Sequence, residues 1–169
     1  MEKDYSKYIE IASIISMNDA KVVKNVSEYI KDLLDNNRTY ATEENDKNVV
    51  KIIWMGLANI LIENGCVDKD LYLKSGLYSF VDNISKILSF AGIEEDEDLD
   101  CFDEDDENGC IASWARALDN DPVMQGFVIG CYDIGADCYD FFVCTKEELE
   151  TLSKLAEEIG HRICRCSEC

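Results

Sequence analysis

Apolar residues in the first part of the chain recur at the spacing of an α-helix. One series precedes Asn18, and a second, more regular series follows it. The two series comprise Ile9, Ala12 and Ile15, and then Val22, Val26, Tyr29, Ile30 and Leu33. Because residues three and four apart share one face of a helix, the pattern predicts two antiparallel helices.

Two further helices are predicted from longer apolar runs. Residues 49–62 are apolar around nearly the whole helical circumference, and a helix with that pattern is normally buried. We therefore expect this segment to be the central helix, and Gly65 to end it. Another helix is predicted from about Gly76 to Ala91, where Gly92 supplies the stop.

The apolar period changes from helical to two after Pro122, the only proline. Residues 125–132 and 138–144 are rich in β-branched and aromatic side chains, which favour strands. Residues 133–137 between them are typical of a hairpin loop, since Gly135 can adopt a positive φ. The pattern predicts an antiparallel hairpin.

Helical and strand signals also flank the hairpin. Thr145 and Glu148 have the spacing of a capping box, so a helix is predicted to follow the hairpin and to end at Gly160. Residues 161–166 are a predicted third strand. Residues 111–118 are a predicted short helix before the proline.

These elements together predict an α+β fold. A helical N-terminal half, residues 1–93, is expected to cover one face of a small β-β-α-β antiparallel unit in residues 110–169. An acidic loop, residues 94–109, would connect them. A chain of 169 residues is long enough to bury its own core, and no linker divides it, so we expect a single domain.

The charge balance narrows the possible partners. The chain has 36 acidic and 16 basic residues, giving a formal net charge of −20. Phosphate backbones and anionic membranes attract Lys and Arg, so neither nucleic acid nor a membrane surface is an expected partner. A basic protein or a cation is a better match as a partner, although high acidity can also serve only to keep a protein soluble.

The N-terminus does not resemble a secretion signal and residues 49–62 are too short to span a bilayer, so we expect a soluble cytoplasmic protein.

An acidic block occupies residues 94–107, with eleven acids in fourteen positions. Its acids are Glu94, Glu95, Asp96, Glu97, Asp98, Asp100, Asp103, Glu104, Asp105, Asp106 and Glu107. Counted from Asp96, the block places acids at positions 3, 5 and 12 of an EF-hand loop, but Cys101 stands where the turn needs glycine. The block is therefore interpreted as a solvated or partner-facing loop, with divalent-ion binding as the alternative.

Nine cysteines in a chain of this size favour reduced thiols in a cytosol, because the number is odd and the chain is no small secreted scaffold. Cys164, Cys166 and Cys169 form the sharpest local pattern. Their thiolates could bind zinc if His161 or a cysteine from the hairpin completed a tetrahedron. The alternative is a thiol-rich tail without metal.

No catalytic residue is identified in the sequence. His161, the only histidine, follows a predicted helix, where such a residue more often interacts with the helix dipole than with a nucleophile. A Cys/His pair stays open, but no nucleophile elbow and no phosphate-binding glycine loop occurs. We therefore expect no enzyme and no cofactor. Asp133, Asp137 and Asp140 lie around the hairpin loop and are interpreted as solvent-facing residues or partner contacts.

The hairpin segment, residues 127–144, reads FVIGCYDIGADCYDFFVC and is followed by a capped helix and the letters GHRI. This pattern resembles a family of uncharacterised bacterial domains of unknown function that carry a D-I-G-x-D-x-Y hairpin. Such domains look like the immunity proteins of bacterial toxin systems, which are small, cytosolic and often acidic because many toxins are basic nucleases.

The resemblance implies a protein-binding role. The acidic block together with Asp133, Asp137 and Tyr139 would then face a basic partner, and Tyr132 and Tyr139 are candidate aromatic anchors. Trp114 is more typical of the core. The alternatives are a metal-binding regulatory protein, using zinc or calcium, and an unrecognised enzyme. The sequence does not determine the oligomeric state.

Overall fold

The structure is a computed structural model that describes residues 5–37, 43–72, 76–93, 102, 107–135 and 138–169. The predicted acidic loop lies almost wholly outside these residues. The helices are α1 (Ser6–Ile15), α2 (Ala20–Asn37), α3 (Glu43–Glu63), α4 (Leu77–Phe90), α5 (Ile111–Asp119) and α6 (Lys146–Glu158). The strands are β1 (Asp68–Tyr72), β2 (Phe127–Asp133), β3 (Cys138–Thr145) and β4 (Arg162–Arg165). The predicted α+β class is confirmed.

The four strands form one antiparallel sheet in the order β1-β3-β2-β4. The predicted β-β-α-β unit corresponds to β2, β3, α6 and β4, and is confirmed. Strand β1 was not predicted, because its sequence, DKDLY, has the charged composition of an edge strand rather than an apolar alternation.

Helices cover both faces of this sheet, so the expectation of one covered face is wrong. On the first face, Val128, Tyr132 and Phe142 pack in a core with α1, α2, α3 and α6. On the second, Ile129 and Phe141 pack in a core with α4 and α5. The physical reason is that consecutive residues of β2 and β3 are apolar, as in strands buried on both sides.

Local signals fix the ends of the helices. Thr145 Oγ1 and Glu148 form the predicted capping box at the start of α6, and Gly160, with φ +80°, follows its end. Asp19 Oδ1 accepts hydrogen bonds from the backbone N–H groups of Lys21 and Val22 at the start of α2. Within the described ranges, no helix has both the length and the hydropathy of a membrane span.

We predict that Gly130→Ala destabilises the fold. Gly130 lies opposite Phe142 in the β2–β3 ladder, and a Cβ at this position would overlap the fully buried Phe142 ring. Overpacking of this kind costs about 1–3 kcal/mol, measurable as a lower free energy of unfolding in denaturant. Gly76→Ala is the matched control, since nothing lies within 4 Å of its Cβ position. Equal stability of the two variants would contradict the prediction.

Candidate functional site

A groove of about 620 Å³ opens between α3, the β2–β3 turn and the turn from α6 into β4. We call it the α3 groove. Trp54 and Met55 of α3, Ile134 of the hairpin turn, and His161 and Arg162 at the start of β4 are among its lining residues. Its walls therefore come from three parts of the chain that are distant in sequence.

Trp54 and His161 line the floor of the α3 groove and belong to a stack of three aromatic rings, in which Tyr132 is fully buried behind Trp54. The Trp54 ring lies between Tyr132, at a centroid distance of 3.9 Å, and His161, at 4.1 Å. Trp54 Nε1 donates a hydrogen bond of 2.7 Å to the carbonyl of Asp133, and Tyr132 Oη donates one of 2.8 Å to the carbonyl of Trp54. Buried aromatic polar groups with partners of this kind are held in place, so the floor is preorganised.

The rings of this floor carry no charge near neutral pH. Burial lowers the pKa of His161 below its ordinary value of 6.5, although a hydrogen bond to the Val50 backbone opposes the shift. Burial also raises the pKa of Tyr132 well above 10.0. His161 Nε2 is 3.5 Å from Tyr8 Oη. The imidazole stacks on Trp54, and the interaction of His161 with the helix dipole stays a prediction.

Two large aliphatic side chains of α3 are exposed beside the groove. Ile52 is 45% exposed and Met55 is 43% exposed, whereas Ile53, Trp54 and other residues of the same helix are buried. The prediction that this helix is buried all round is therefore wrong on one face. Residues 52 and 55 are one helical turn apart and share that face.

Most of the predicted partner-facing acids belong to segments outside the described residues. Those at positions 94–98, 100, 103–106 and 137 lie outside the described residues, as does the EF-hand comparison, and Tyr139 is described only in its backbone. Glu107 is exposed and accepts a 3.1 Å hydrogen bond from Tyr78. Asp133 lies at the α3 groove, where its Oδ1 accepts a hydrogen bond from the Gly135 N–H at 2.7 Å.

Three other residues named in the sequence interpretation, Tyr132, Asp140 and Trp114, are all buried. Tyr132 is fully buried and stacked on Trp54, so its interpretation as an exposed aromatic anchor is wrong. Asp140 is 1% exposed, so its interpretation as solvent-facing is wrong. Trp114 is 2% exposed, and its core position is confirmed.

A second candidate site is a group of three cysteines on the opposite face of the sheet. The Sγ atoms of Cys131, Cys164 and Cys169 all lie within 4.8 Å of one another. We call this group the thiol cluster. Cys131 of β2 lies directly opposite Cys164 of β4, and Cys164 is joined to Cys169 by a disulfide. The expectation that all cysteines are reduced is thus wrong for this pair, while Cys131 is free.

The thiol cluster differs from the predicted zinc set in two residues. Cys166 is fully buried in the α4–α5 core, and His161 lies at the α3 groove. A short 3₁₀ turn after β4 brings Cys169 back toward Cys164, and this reversal of the chain could not be read from the spacing. The predicted alternative, completion by a hairpin cysteine, corresponds to Cys131.

Burial sets the acidity of the described free thiols. It raises the pKa of Cys131 to about 12 and the pKa of Cys66 to about 11. It also raises the pKa of Cys166. The exposed Cys110 differs, because hydrogen bonds with the Ser113 backbone and side chain lower its pKa. The buried thiols are therefore protonated at neutral pH.

An ion pair holds the segment that carries the thiol cluster. Arg165 Nε donates a 2.6 Å hydrogen bond to Asp119 Oδ2, and the Ile129 N–H donates one of 2.8 Å to Asp119 Oδ1. The Asp119 side chain is 1% exposed and that of Arg165 is 31% exposed. Asp119 thus connects the end of α5 to both β2 and β4.

The fold and these two sites define an α+β protein with a four-stranded antiparallel sheet between two helical layers. The chain belongs to the DUF6630 family, a domain of unknown function, whose family model matches residues 7–167. None of the curated proteins and none of the solved structures matches it. The family match covers nearly the whole chain, whereas the resemblance to the D-I-G-x-D-x-Y hairpin and to immunity proteins stays a prediction.

We predict that Asp119→Ala lowers the free energy of unfolding by about 2–4 kcal/mol. Breaking a buried ion pair typically costs about 3–5 kcal/mol, and we expect less because Arg165 is partly hydrated. Denaturant unfolding would measure the loss. Asp82→Ala is the control, since it removes the same group from the exposed ion pair of Asp82 with Lys86 and should have little effect. A loss no larger than that of the control would contradict a structural role for Asp119.

We predict that His161 makes stability depend on pH. Its pKa in the folded state is lowered, so its contribution is fully present above the unfolded value of 6.5 and is lost as pH falls below it. The free energy of unfolding should therefore decrease as the pH is lowered through about 6.5, the pKa of the unfolded state. In His161→Phe, which keeps a ring on Trp54, this part of the decrease should vanish. An identical pH dependence in both proteins would contradict the prediction.

Proposed function

We propose that this protein is an acidic, cytoplasmic protein-binding module whose partner is a basic protein. The observation that carries the proposal is the pair of exposed aliphatic side chains, Ile52 and Met55, beside the preformed α3 groove. Neutralisation of a basic bacterial toxin by its immunity protein is the most concrete form of this function. It rests on the sequence resemblance alone.

The distribution of exposed apolar side chains supports a docking role for the α3 groove. Within the described residues, four large hydrophobic side chains are exposed, namely Met17, Ile52, Met55 and Tyr78. Two of these four lie on one turn of α3. Binding energy at protein interfaces concentrates in a few apolar anchors that fill preformed pockets. An apolar side chain of the partner would thus occupy the groove and contact Met55.

Charge supplies the attraction at longer range. The net charge of −20 would raise the association rate with a basic partner and would oppose binding to nucleic acid or an anionic membrane. The α3 groove itself is not acidic, because Lys51 and Arg162 line it together with Asp133. We therefore assign the apolar contact to the groove and the electrostatic attraction to the acidic surface elsewhere.

The same geometry favours binding over catalysis at this groove. Its only histidine is stacked on Trp54, has a lowered pKa and contacts Tyr8 and the Val50 backbone. We therefore assign this imidazole a packing role and not a role in proton transfer. A second candidate function, a metal-binding regulatory protein, is favoured by the three sulfur atoms of the thiol cluster.

We predict that Met55→Glu weakens binding of the partner. The wild-type chain, immobilised and exposed to a lysate of the source cells, should retain a basic protein identifiable by mass spectrometry. For that protein, once purified, calorimetry should give an affinity at least about tenfold lower with Met55→Glu, because the substitution places a charge at the apolar anchor. Raising the salt concentration should slow association with the wild type.

Met17→Glu is the matched control. Met17 is 39% exposed, close to the 43% of Met55, but it lies in the turn after α1 and outside the groove lining. The two variants have the same change in charge. If they lose binding equally, or if no basic protein is retained by the wild type, the proposed docking role of the groove is wrong.

A further inference from the structure

The thiol cluster is the only group of three potential metal ligands within 4.8 Å among the residues that the structure describes. Its members come from β2, from β4 and from the C-terminal turn. Cys131 is buried, Cys164 is half-buried and Cys169 is exposed. The cluster therefore reaches from the α4–α5 core to the solvent, which gives an ion a path of entry.

We propose that Cys131, Cys164 and Cys169 bind a thiophilic divalent cation such as Zn²⁺ when the Cys164–Cys169 disulfide is reduced. This inference is independent of the proposed binding of a basic protein, because the α3 groove and the thiol cluster share no residue.

The separation of the sulfur atoms suits such an ion. Tetrahedral zinc with Zn–S bonds of about 2.3 Å holds its sulfur ligands about 3.8 Å apart. The three Sγ atoms all lie within 4.8 Å of one another, and we expect rotation of the reduced side chains to bring them to this separation. Three protein ligands leave a fourth position for water or for a ligand from outside the chain.

The backbone that carries the ligands is fixed before metal binds. Cys131 and Cys164 are partners across the β2–β4 ladder, and Cys131 packs in the core with α4 and α5. Cys169 Sγ is 3.3 Å from the Arg165 carbonyl, and Arg165 is held by Asp119. A site of this kind loses little conformational entropy on binding.

The chemistry balances with a dithiol or a phosphine as the reductant. The Cys164–Cys169 bond breaks and two thiols form. A dithiol supplies both hydrogens and is oxidised to its own disulfide. A phosphine is oxidised to its oxide, and water supplies the oxygen of the oxide and both thiol protons. Binding of Zn²⁺ then releases three protons as three Zn–S bonds form. Two of the three ligands are consumed by the disulfide, so the oxidised protein cannot form the site. Metal binding and the disulfide exclude each other.

The test is zinc binding by the full chain, measured by competition with a chromophoric chelator after anaerobic reduction with a phosphine. We expect one Zn²⁺ per chain in the reduced protein and none in the oxidised protein. Cobalt in place of zinc should give sulfur-to-metal charge-transfer absorption. Cys131→Ala and Cys169→Ala should each weaken binding more than the ~10–100-fold that loss of a supporting outer-shell group costs.

Two further variants keep the result decisive. Cys144→Ala is the matched control, because Cys144 is buried on the other face of the sheet. This variant should bind zinc with the affinity of the wild type. Cys166→Ala distinguishes between the thiol cluster and the ligand set predicted from sequence, which included Cys166. If the thiol cluster is the site, this variant should also keep the zinc affinity of the wild type. Cys169 is exposed, so its variant carries little risk to folding. Absence of zinc from the reduced wild type, unchanged affinity in Cys169→Ala, or equal binding by the oxidised protein would overturn the proposal.

Discussion

Burial of β2 and β3 on both faces is the constraint on which the other features depend. Successive residues of a strand point to opposite faces, so Tyr132 enters the core beneath α3 while Cys131 enters the core beneath α4 and α5. Tyr132 therefore supports Trp54 from behind the α3 groove, and its neighbour Cys131 contributes one sulfur to the thiol cluster. A register slip of one residue would exchange the two faces and remove both sites. The close approach of Phe142 to Gly130 favours the observed register.

Buried charge is the second constraint, and it acts against the general acidity of the chain. Asp119 has a raised pKa, because burial outweighs the hydrogen bonds from the Ile129 N–H and Arg165. A carboxylate in this position persists because those partners satisfy its oxygens. The Asp119 carboxylate also holds Arg165 at the end of β4, a strand of only four residues that can form few backbone hydrogen bonds with β2. Asp119 therefore has a structural role, unlike the exposed acids that give the chain its net charge of −20.

Much of the fold could be predicted from sequence because its signals are local. The capping box at Thr145, the helix stop at Gly160 and the period change after Pro122 each act within a few residues. The missed features depend on contacts between distant segments. Strand β1 is defined by its pairing with β3, and the exposure of Ile52 and Met55 depends on where the other elements leave α3 uncovered. Cys131 joins Cys164 and Cys169 only through the ladder between β2 and β4. The local sequence pattern does not indicate which distant segments pair or pack together.

Both sites take residues from the short strand β4 or from the residue before it, and β4 is held by contacts that use no cysteine. His161 and Arg162 line the α3 groove at the start of β4, and Cys164 enters the thiol cluster near its end. Between them Ile163 is buried, and its carbonyl accepts a 2.9 Å hydrogen bond from Ser153 of α6. The pairing with β2 and the Asp119–Arg165 ion pair also hold β4 without using a cysteine. Arg116 also donates a hydrogen bond to the Ser167 carbonyl in the turn after β4. Opening the disulfide would therefore leave this turn, β4 and the groove wall in place.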